Sequence, residues 1–342
     1  MSETKWSEQR LNTLLTTPSA ALTEDMKKLD GDIMVIGAGG KMGPTLCTLA
    51  KNAVKAAGLN KKVIAVSRFS NEAARKALNE NGVETISLDL LGDHAVDTLP
   101  QCENIIYMLG RKFGTVGQEA LTWASNAWLP SRVADHFRES RITAFSTGNV
   151  YPKVSVFSGG ADEEVPPEPV GDYAMSSLAR ERMFEYGAEK FGTRVSIYRL
   201  NYAIDLRYGV LSDIAHHVLK GEPVSVGMPC FNCIWQGDAN EIAIRSLLHA
   251  SSNVFRLNVT GPETASVRAA AQKFGKLFGR EPIFTGEEAS SVLLNNAGKM
   301  FRLFGYPTVP LETLIEWQAQ WILDGGRELG KPTHFEERKG NY

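Results

Sequence analysis

Three glycines, Gly37, Gly40 and Gly43, are spaced three apart directly after the apolar run Asp32-Ile-Met-Val-Ile36. At a strand-to-helix turn each has its own task. The first permits the tight turn, the second lets the backbone approach a pyrophosphate, and the third lets the helix pack close to the sheet. The phosphates would lie at the N-terminus of the following helix, where free N–H groups and the dipole favour anions. Lys41 and Met42, inside the same loop, are candidate contacts to that ligand. The end of the next strand selects the cofactor. A carboxylate there would hold a ribose 2′-hydroxyl, but this chain has Val66-Ser67-Arg68. The Arg68 guanidinium suits a 2′-phosphate and the Ser67 hydroxyl can donate to it, so NADP is expected in preference to NAD. Asp89-Leu90 follows the third strand, where the carboxylate can accept from an adenine amino group. Leu109-Gly110 ends the fourth, where a small residue lets the backbone come near the cofactor.

Other chemistry-bearing residues give weaker signals. The chain has four cysteines, and only Cys230-Phe-Asn-Cys233 has metal or redox spacing. A structural zinc usually takes four ligands, and no second CxxC or HxxxH accompanies this pair, so no metal site is expected. A redox switch through the two thiols is a minor alternative. Asp162, Glu163 and Glu164 could hold a sugar hydroxyl or act as a second acid/base, but read more simply as a solvated loop. His216-His217 reads as core or surface, and Trp317 with Trp321, four apart on one helix face, as packing.

These residues need elements to position them. Short apolar strands are predicted at 32–36, 62–66, 83–88, 104–109 and 141–146, alternating with helical stretches at 43–57, 71–81 and 118–139, the last kinked at Pro130. Nearly all-apolar strands alternating with helices indicate a doubly wound parallel sheet covered on both faces. Residues 151–172, rich in Pro, Gly and acids, form a long loop. Helix 173–191 and strand 193–200 resume the rhythm. After about 205 the elements are shorter: helices at 209–220, 239–250, 266–278, 289–303 and 311–324, with strand-like pieces at 223–228 and 255–259. The expected fold is α/β, a Rossmann-type doubly wound parallel sheet with a smaller mixed α/β C-terminal substrate lobe. The divisions are a preamble (1–30), a nucleotide-binding domain (31–205), a substrate lobe (206–326) into which some elements cross back, and a tail (327–342).

Composition sets outer limits. The chain has 342 residues, 37 Lys+Arg against 39 Asp+Glu, and a formal charge of −2. That balance argues against a nucleic-acid binder held by a broad basic field. No run approaches the length of a transmembrane helix and no secretory leader is read at the start, so a cytoplasmic protein without membrane attachment is expected.

Together with the glycine motif and Asp89-Leu90, three further segments carry a resemblance. They are Phe145-Ser-Thr-Gly-Asn-Val-Tyr151, Tyr173-Ala-Met-Ser-Ser177 and Arg199-Leu-Asn201. The sequence resembles the extended short-chain dehydrogenase/reductase family, in its NAD-dependent epimerase/dehydratase group, over roughly residues 32–325. The resemblance implies hydride transfer between a nicotinamide and a carbinol or carbonyl carbon of a sugar, nucleotide sugar or related small molecule. It makes Tyr173 the proton-transferring residue and a contact of the cofactor. Thr147 would hold the substrate oxygen, Asn149 and Asn201 would bind substrate, and Asn126 is the family's helix asparagine. It also implies a homodimer through helices 118–139 and 173–191. One position departs: the family has lysine where this chain has Ser177, and a serine supplies no charge to the tyrosine. Arg180, two helical turns from Tyr173, is a nearby cation of doubtful reach. The alternative reading is an NAD(P)-binding sensor or scaffold without efficient hydride transfer.

Overall fold

The structure, a computed structural model, describes residues 5–341 apart from 113 and 115. Seven parallel strands form the central sheet: β1 (Ile33–Ile36), β2 (Val63–Ser67), β3 (Glu84–Ser87), β4 (Asn104–Tyr107), β5 (Arg141–Thr147), β6 (Arg194–Leu200) and β7 (Phe255–Val259), in the order β7-β6-β5-β4-β1-β2-β3. All residues of β1 and β4 are buried, whereas the edge strand β3 is partly solvated. This matches the reading of apolar runs as interior strands. The winding reverses between β1 and β4, which pair Ile33 with Asn104 through Ile36 with Tyr107. In such sheets ligands bind outside the carboxyl ends of the strands at that reversal.

Two capped helices precede the sheet. Ser7 and Ser19 accept from backbone N–H groups at the starts of Glu8–Thr16 and Ala20–Lys28. Their apolar faces go to different places: Leu11 and Leu15 join the C-terminal lobe, and Leu22 and Met26 pack with the helix Gly43–Ala56. The 118–139 segment is helical but interrupted. An α-helical turn, Glu119–Trp123, passes into a π-turn, Ala124–Trp128, and then into Leu129–His136 with Pro130 near its start. Pro130 has no N–H to give to the carbonyl four residues back, and the ladder widens ahead of it.

The chain re-enters the core around the central sheet late. The helix Gln236–Arg245 packs on Gly43–Ala56, with Gln236 Nε2 and Asn240 Nδ2 each 3.0 Å from Thr45 Oγ1. β7 then pairs with β6. The remaining lobe stacks the helices Val210–Lys220, Val267–Phe278 and Leu311–Leu323, with Trp317 and Trp321 edge-on to Trp6. One expectation is corrected here. Residues 289–297 are not helical; Ser291–Val292 pairs antiparallel with Val154–Ser155 of the long loop, and only Gly298–Phe304 is a helix. Val292 and Leu294 are buried against Met228, an alternating pattern that serves a strand. Among the described residues no helix is long and apolar enough to cross a membrane.

Candidate active site

At the carboxyl ends of β1 and β4 the chain opens two joined cavities. The outer one, about 520 Å³, is lined by Gly37, Gly39, Gly40, Ser67, Arg68, Asp89, Leu90, Leu109 and Gly110 among others. The inner one, about 300 Å³, is lined by Gly37, Gly40, Lys41, Met42, Gly110, Thr147, Asn149, Tyr173, Arg180 and Asn201 among others. Gly37, Gly40, Met108, Gly110 and Lys112 belong to both walls.

The glycines divide the work at the seam. Gly37 has φ +94°, and a Cβ on it would lie 2.5 Å from the Leu109 nitrogen. A Cβ on Gly43 would lie 2.2 Å from the Ala38 carbonyl oxygen, so the helix start sits directly on the loop. Gly40 differs, because its nearest neighbour would be the Gly37 carbonyl oxygen at 3.5 Å. Its α-carbon faces open space in both cavities, the cradle a phosphate needs at a helix N-terminus. Gly39 was not singled out by the triplet spacing. It packs against β2, since a Cβ there would meet Ser67 Oγ at 2.4 Å, a side-chain contact softer than the backbone contacts at Gly37 and Gly43. The Gly-Gly pair was the available signal.

At the outer end, Arg68 and Asp89 are exposed at the rim, and the Asp89 carboxylate accepts from the Leu91 N–H at 3.2 Å. Gly110 lines both cavities and also packs against a side chain. A Cβ on it would strike the Arg180 guanidinium at 2.3 Å.

At the inner end, β5 delivers Thr147, whose hydroxyl oxygen accepts from the Asn149 N–H at 3.2 Å. The helix Gly171–Phe191 delivers Tyr173 from its first turn. Beneath them lies a buried network with no role in the sequence expectations. Arg199 (2% exposed) donates to both Glu181 oxygens at 2.9 and 2.7 Å and to the Tyr151 hydroxyl at 2.6 Å. Ser146 donates to Glu181, and Tyr151 to Asn258 at 2.8 Å. A carboxylate and a guanidinium taken out of water need each other and these further bonds. The network ties the ends of β5, β6 and β7 to the helix Gly171–Phe191.

Ser177 does not face the cavity. It is fully buried, and its hydroxyl donates to the Tyr173 carbonyl at 2.7 Å, one turn back. Arg180 does reach the cavity wall. It is 6% exposed, donates to the Phe145 carbonyl at 2.8 Å and to Asn126 Oδ1 at 2.9 Å, and its Nε has no hydrogen-bond partner among the described residues. Asn126, in the π-turn, lines neither cavity. It braces Arg111, Ser176 and Arg180 from below.

Two lysines lie where the cavities join. Lys112, which carried no motif, places its Nζ 5.7 Å from the centre of the Tyr173 ring and donates to the Thr333 carbonyl at 3.3 Å. Lys41 Nζ lies 4.4 Å from the Tyr208 ring and donates to the Lys331 carbonyl at 3.3 Å. Burial pulls both ammonium groups down to about 8, and Lys41 adds repulsion at Lys112. A pair of desolvated like charges beside a cavity is an environment that an anion relieves. The glycine cradle, the helix N-terminus and the lysines therefore fit a dinucleotide pyrophosphate.

The other candidates fall elsewhere. Glu163 Oε1 accepts from the Asn258 N–H at 2.7 Å on the far side of the network, with its carboxyl pushed up by burial. Cys230 and Cys233 are free thiols, both shifted upward by burial, and the described residues contain no group of three or more His, Cys, Asp or Glu suited to a metal. His216 pairs with Glu328 away from both cavities.

Residues 33–250 match the model of the NAD dependent epimerase/dehydratase family. The chain belongs to that family. Solved structures agree on the fold. UDP-glucose 4-epimerase from Thermotoga maritima with UDP-glucose is 18% identical, with a TM-score of 0.68 over 86% of this chain and 99% of that one. UDP-glucuronic acid 4-epimerase from Bacillus cereus, in complex with UDP-glucuronic acid and NAD, is 18% identical, with a TM-score of 0.69 over 85% and 99%. MoeE5 in complex with UDP-glucose and NAD is 20% identical, with a TM-score of 0.67 over 86% and 99%. None of the curated proteins matches the sequence significantly. Family membership makes the two joined cavities the candidate site for a nicotinamide dinucleotide and a second small molecule.

Proposed function

We propose that the protein is an oxidoreductase of the epimerase/dehydratase kind that acts on a hydroxyl or carbonyl carbon of a sugar-like molecule. The observation that carries this reading is that Thr147, Asn149, Tyr173 and Asn201, from three separate segments, line one cavity that opens onto the glycine loop. When bound, a nicotinamide supplies the hydride acceptor or donor. The chain does the rest. The Thr147 hydroxyl holds the substrate oxygen, the Tyr173 phenol oxygen takes or returns its proton, and Asn149 and Asn201 orient the remaining hydroxyls. Gly37, Gly40, Lys41, Met42 and Lys112 would hold the pyrophosphate. Ser67 and Arg68 would take a 2′-phosphate, favouring NADP, and Asp89 with Leu90 would bound the adenine. Arg180, three residues on from the helix position where the family's lysine is expected, brings a cation to the wall of the same cavity.

The test incubates the pure protein with NAD, NADP and a panel of sugars, polyols and nucleotide sugars. Net oxidation is read by reduced-cofactor absorbance and epimerisation by sugar NMR. Tyr173→Phe is expected to lower turnover by about a hundredfold or more with cofactor affinity kept. Undiminished turnover removes Tyr173 from this role. A second reading, cofactor binding without turnover, is favoured by the burial of Ser177 away from the cavity. It prevails if NADPH binds and neither readout detects any reaction across the panel. We also propose a homodimer through the helices Glu119–His136 and Gly171–Phe191, where Trp128, Met175 and Tyr186 are exposed. Sedimentation at a single monomer mass would remove it.

A further inference from the structure

The C-terminal tail crosses the mouth of the inner cavity and is tied down along its length. The Leu329 N–H donates to the Arg207 carbonyl at 2.9 Å. Thr333, whose side chain lines the cavity, donates through its N–H at 2.7 Å and through its hydroxyl to Asp213. Phe335 is 6% exposed in the core of the C-terminal lobe. Arg338 donates to the carbonyls of Gly227 and Ser291 at 3.1 and 2.7 Å and to Ser291 Oγ at 3.0 Å, and its own carbonyl accepts from Lys153 at 3.1 Å. Gly340 (φ +82°) presses on the start of the catalytic helix, where a Cβ would stand 2.3 Å from the Val170 carbonyl oxygen.

The path has a consequence for size. Beside Asn149, the tail residues Glu337, Arg338 and Gly340 close with Lys153, Val170 and Leu293 around a space of only about 20 Å³. The inner cavity itself holds about 300 Å³, the lower end of the range of about 300–1,000 Å³ for small-molecule sites. The reactive end of the dinucleotide has to share that space.

We infer that the tail is a specificity element that confines the substrate to a molecule of about one sugar ring and excludes nucleoside-diphosphate sugars. This rests on the proposed function, because it takes the inner cavity as the substrate site. A nucleotide sugar carries a base, a ribose and two phosphates beyond its hexose, and the seated tail takes up the space beside Asn149 into which they would extend. The solved relatives bound to UDP-sugars share the fold with this chain, and the restriction lies in residues 329–341.

The test uses the full chain saturated with NADPH and titrates it calorimetrically with UDP. Two full-length variants accompany it: Arg338→Ala, which releases the outer tail while Phe335 stays seated, and Phe335→Ala with Arg338→Ala, which releases more. The unaltered chain is expected to show no UDP binding, and the variants to gain affinity by about tenfold or more above its limit. NADPH affinity, measured in parallel, shows that each variant is folded. UDP binding to the unaltered chain as tight as to the variants overturns the inference, and so does refusal of UDP by both folded variants. Failure of both NADH and NADPH to bind the unaltered chain would instead defeat the proposed function and leave the tail's role to the UDP result.

Discussion

Gly37 and Gly40 belong to one motif, yet alanine should act on them in opposite ways. At Gly40 an added methyl meets nothing closer than 3.5 Å, and the backbone φ is outside the left-handed region. Gly40→Ala should therefore fold, with stability altered by less than about 1 kcal/mol through the unfolded chain's lost freedom. The methyl would project into the space where the cavities join, holding a pyrophosphate off the helix N-terminus. Each charge-assisted hydrogen bond lost is worth about 1.5–3 kcal/mol, so one such bond predicts a cofactor Kd weakened about ten- to hundredfold. At Gly37 the φ of +94° strains any other residue by about 1–3 kcal/mol. The methyl also overlaps Leu109 backbone atoms at 2.5 and 2.7 Å, which cannot rotate away. Gly37→Ala should cost about 3 kcal/mol or more, a large part of a domain's usual stability of about 5–15 kcal/mol. Guanidinium melts and NADPH fluorescence titrations separate the two effects. Gly40→Ala binding NADPH within about threefold of the unaltered protein, or Gly37→Ala melting with it, would refute the assignment.

Three other outcomes follow from particular groups. Arg68→Ala should weaken NADP by about tenfold and leave NAD unchanged; equal NAD and NADP affinities, unmoved by the substitution, would remove the 2′-phosphate argument. Lys41 and Lys112 are ammonium ions below about 8, so an anionic cofactor is held at neutral pH and released as they lose protons. The bound anion itself favours the charged form, so the Kd for NADPH should rise from about pH 8 upward, and Lys112→Met should flatten that rise. A flat profile for the unaltered protein up to about pH 10 would show that the lysines do not touch the anion. Glu181→Leu strands Arg199 in the interior and should cost about 3–5 kcal/mol in urea unfolding, with Glu181→Leu plus Arg199→Met recovering much of it; a loss under about 1 kcal/mol would mean the pair is not buried as described.

The sequence and the structure agree most closely where local chemistry decides the geometry. The β1 run and the glycine triplet are contiguous, so their turn and its helix follow from dihedral and packing rules alone. The same holds for β2, β4 and β5, which are apolar enough to lie inside a sheet covered on both faces. Residues 289–297 were misread because apolar residues over so short a span suit a helix or a strand equally. The pairing with Val154–Ser155 that decides it comes from more than a hundred positions away. Lys112, unlike Lys41 in the glycine loop, was illegible for a similar reason. Lys112 belongs to no pattern, and it becomes a site residue only because β4 ends beside β1 and the tail returns over both.

Position 177, where the resemblance leads one to expect a lysine, shows how far residue-by-residue transfer can go. A serine at 177 reads as a lost charge. In the structure that serine satisfies a helix carbonyl, and the charge comes to the same cavity from two other directions. Arg180 arrives from the next turn of the same helix, with room made by Gly110, and Lys112 arrives from the loop after β4. Gly110 leaves room for the Arg180 guanidinium, which a methyl there would meet at 2.3 Å. Gly110→Ala should therefore disturb the inner cavity without touching the glycine cradle. Reduced turnover with NADPH affinity kept would tie Arg180 to the chemistry. Lost NADPH affinity would instead return Gly110 to the cofactor-contact role its place after β4 first suggested.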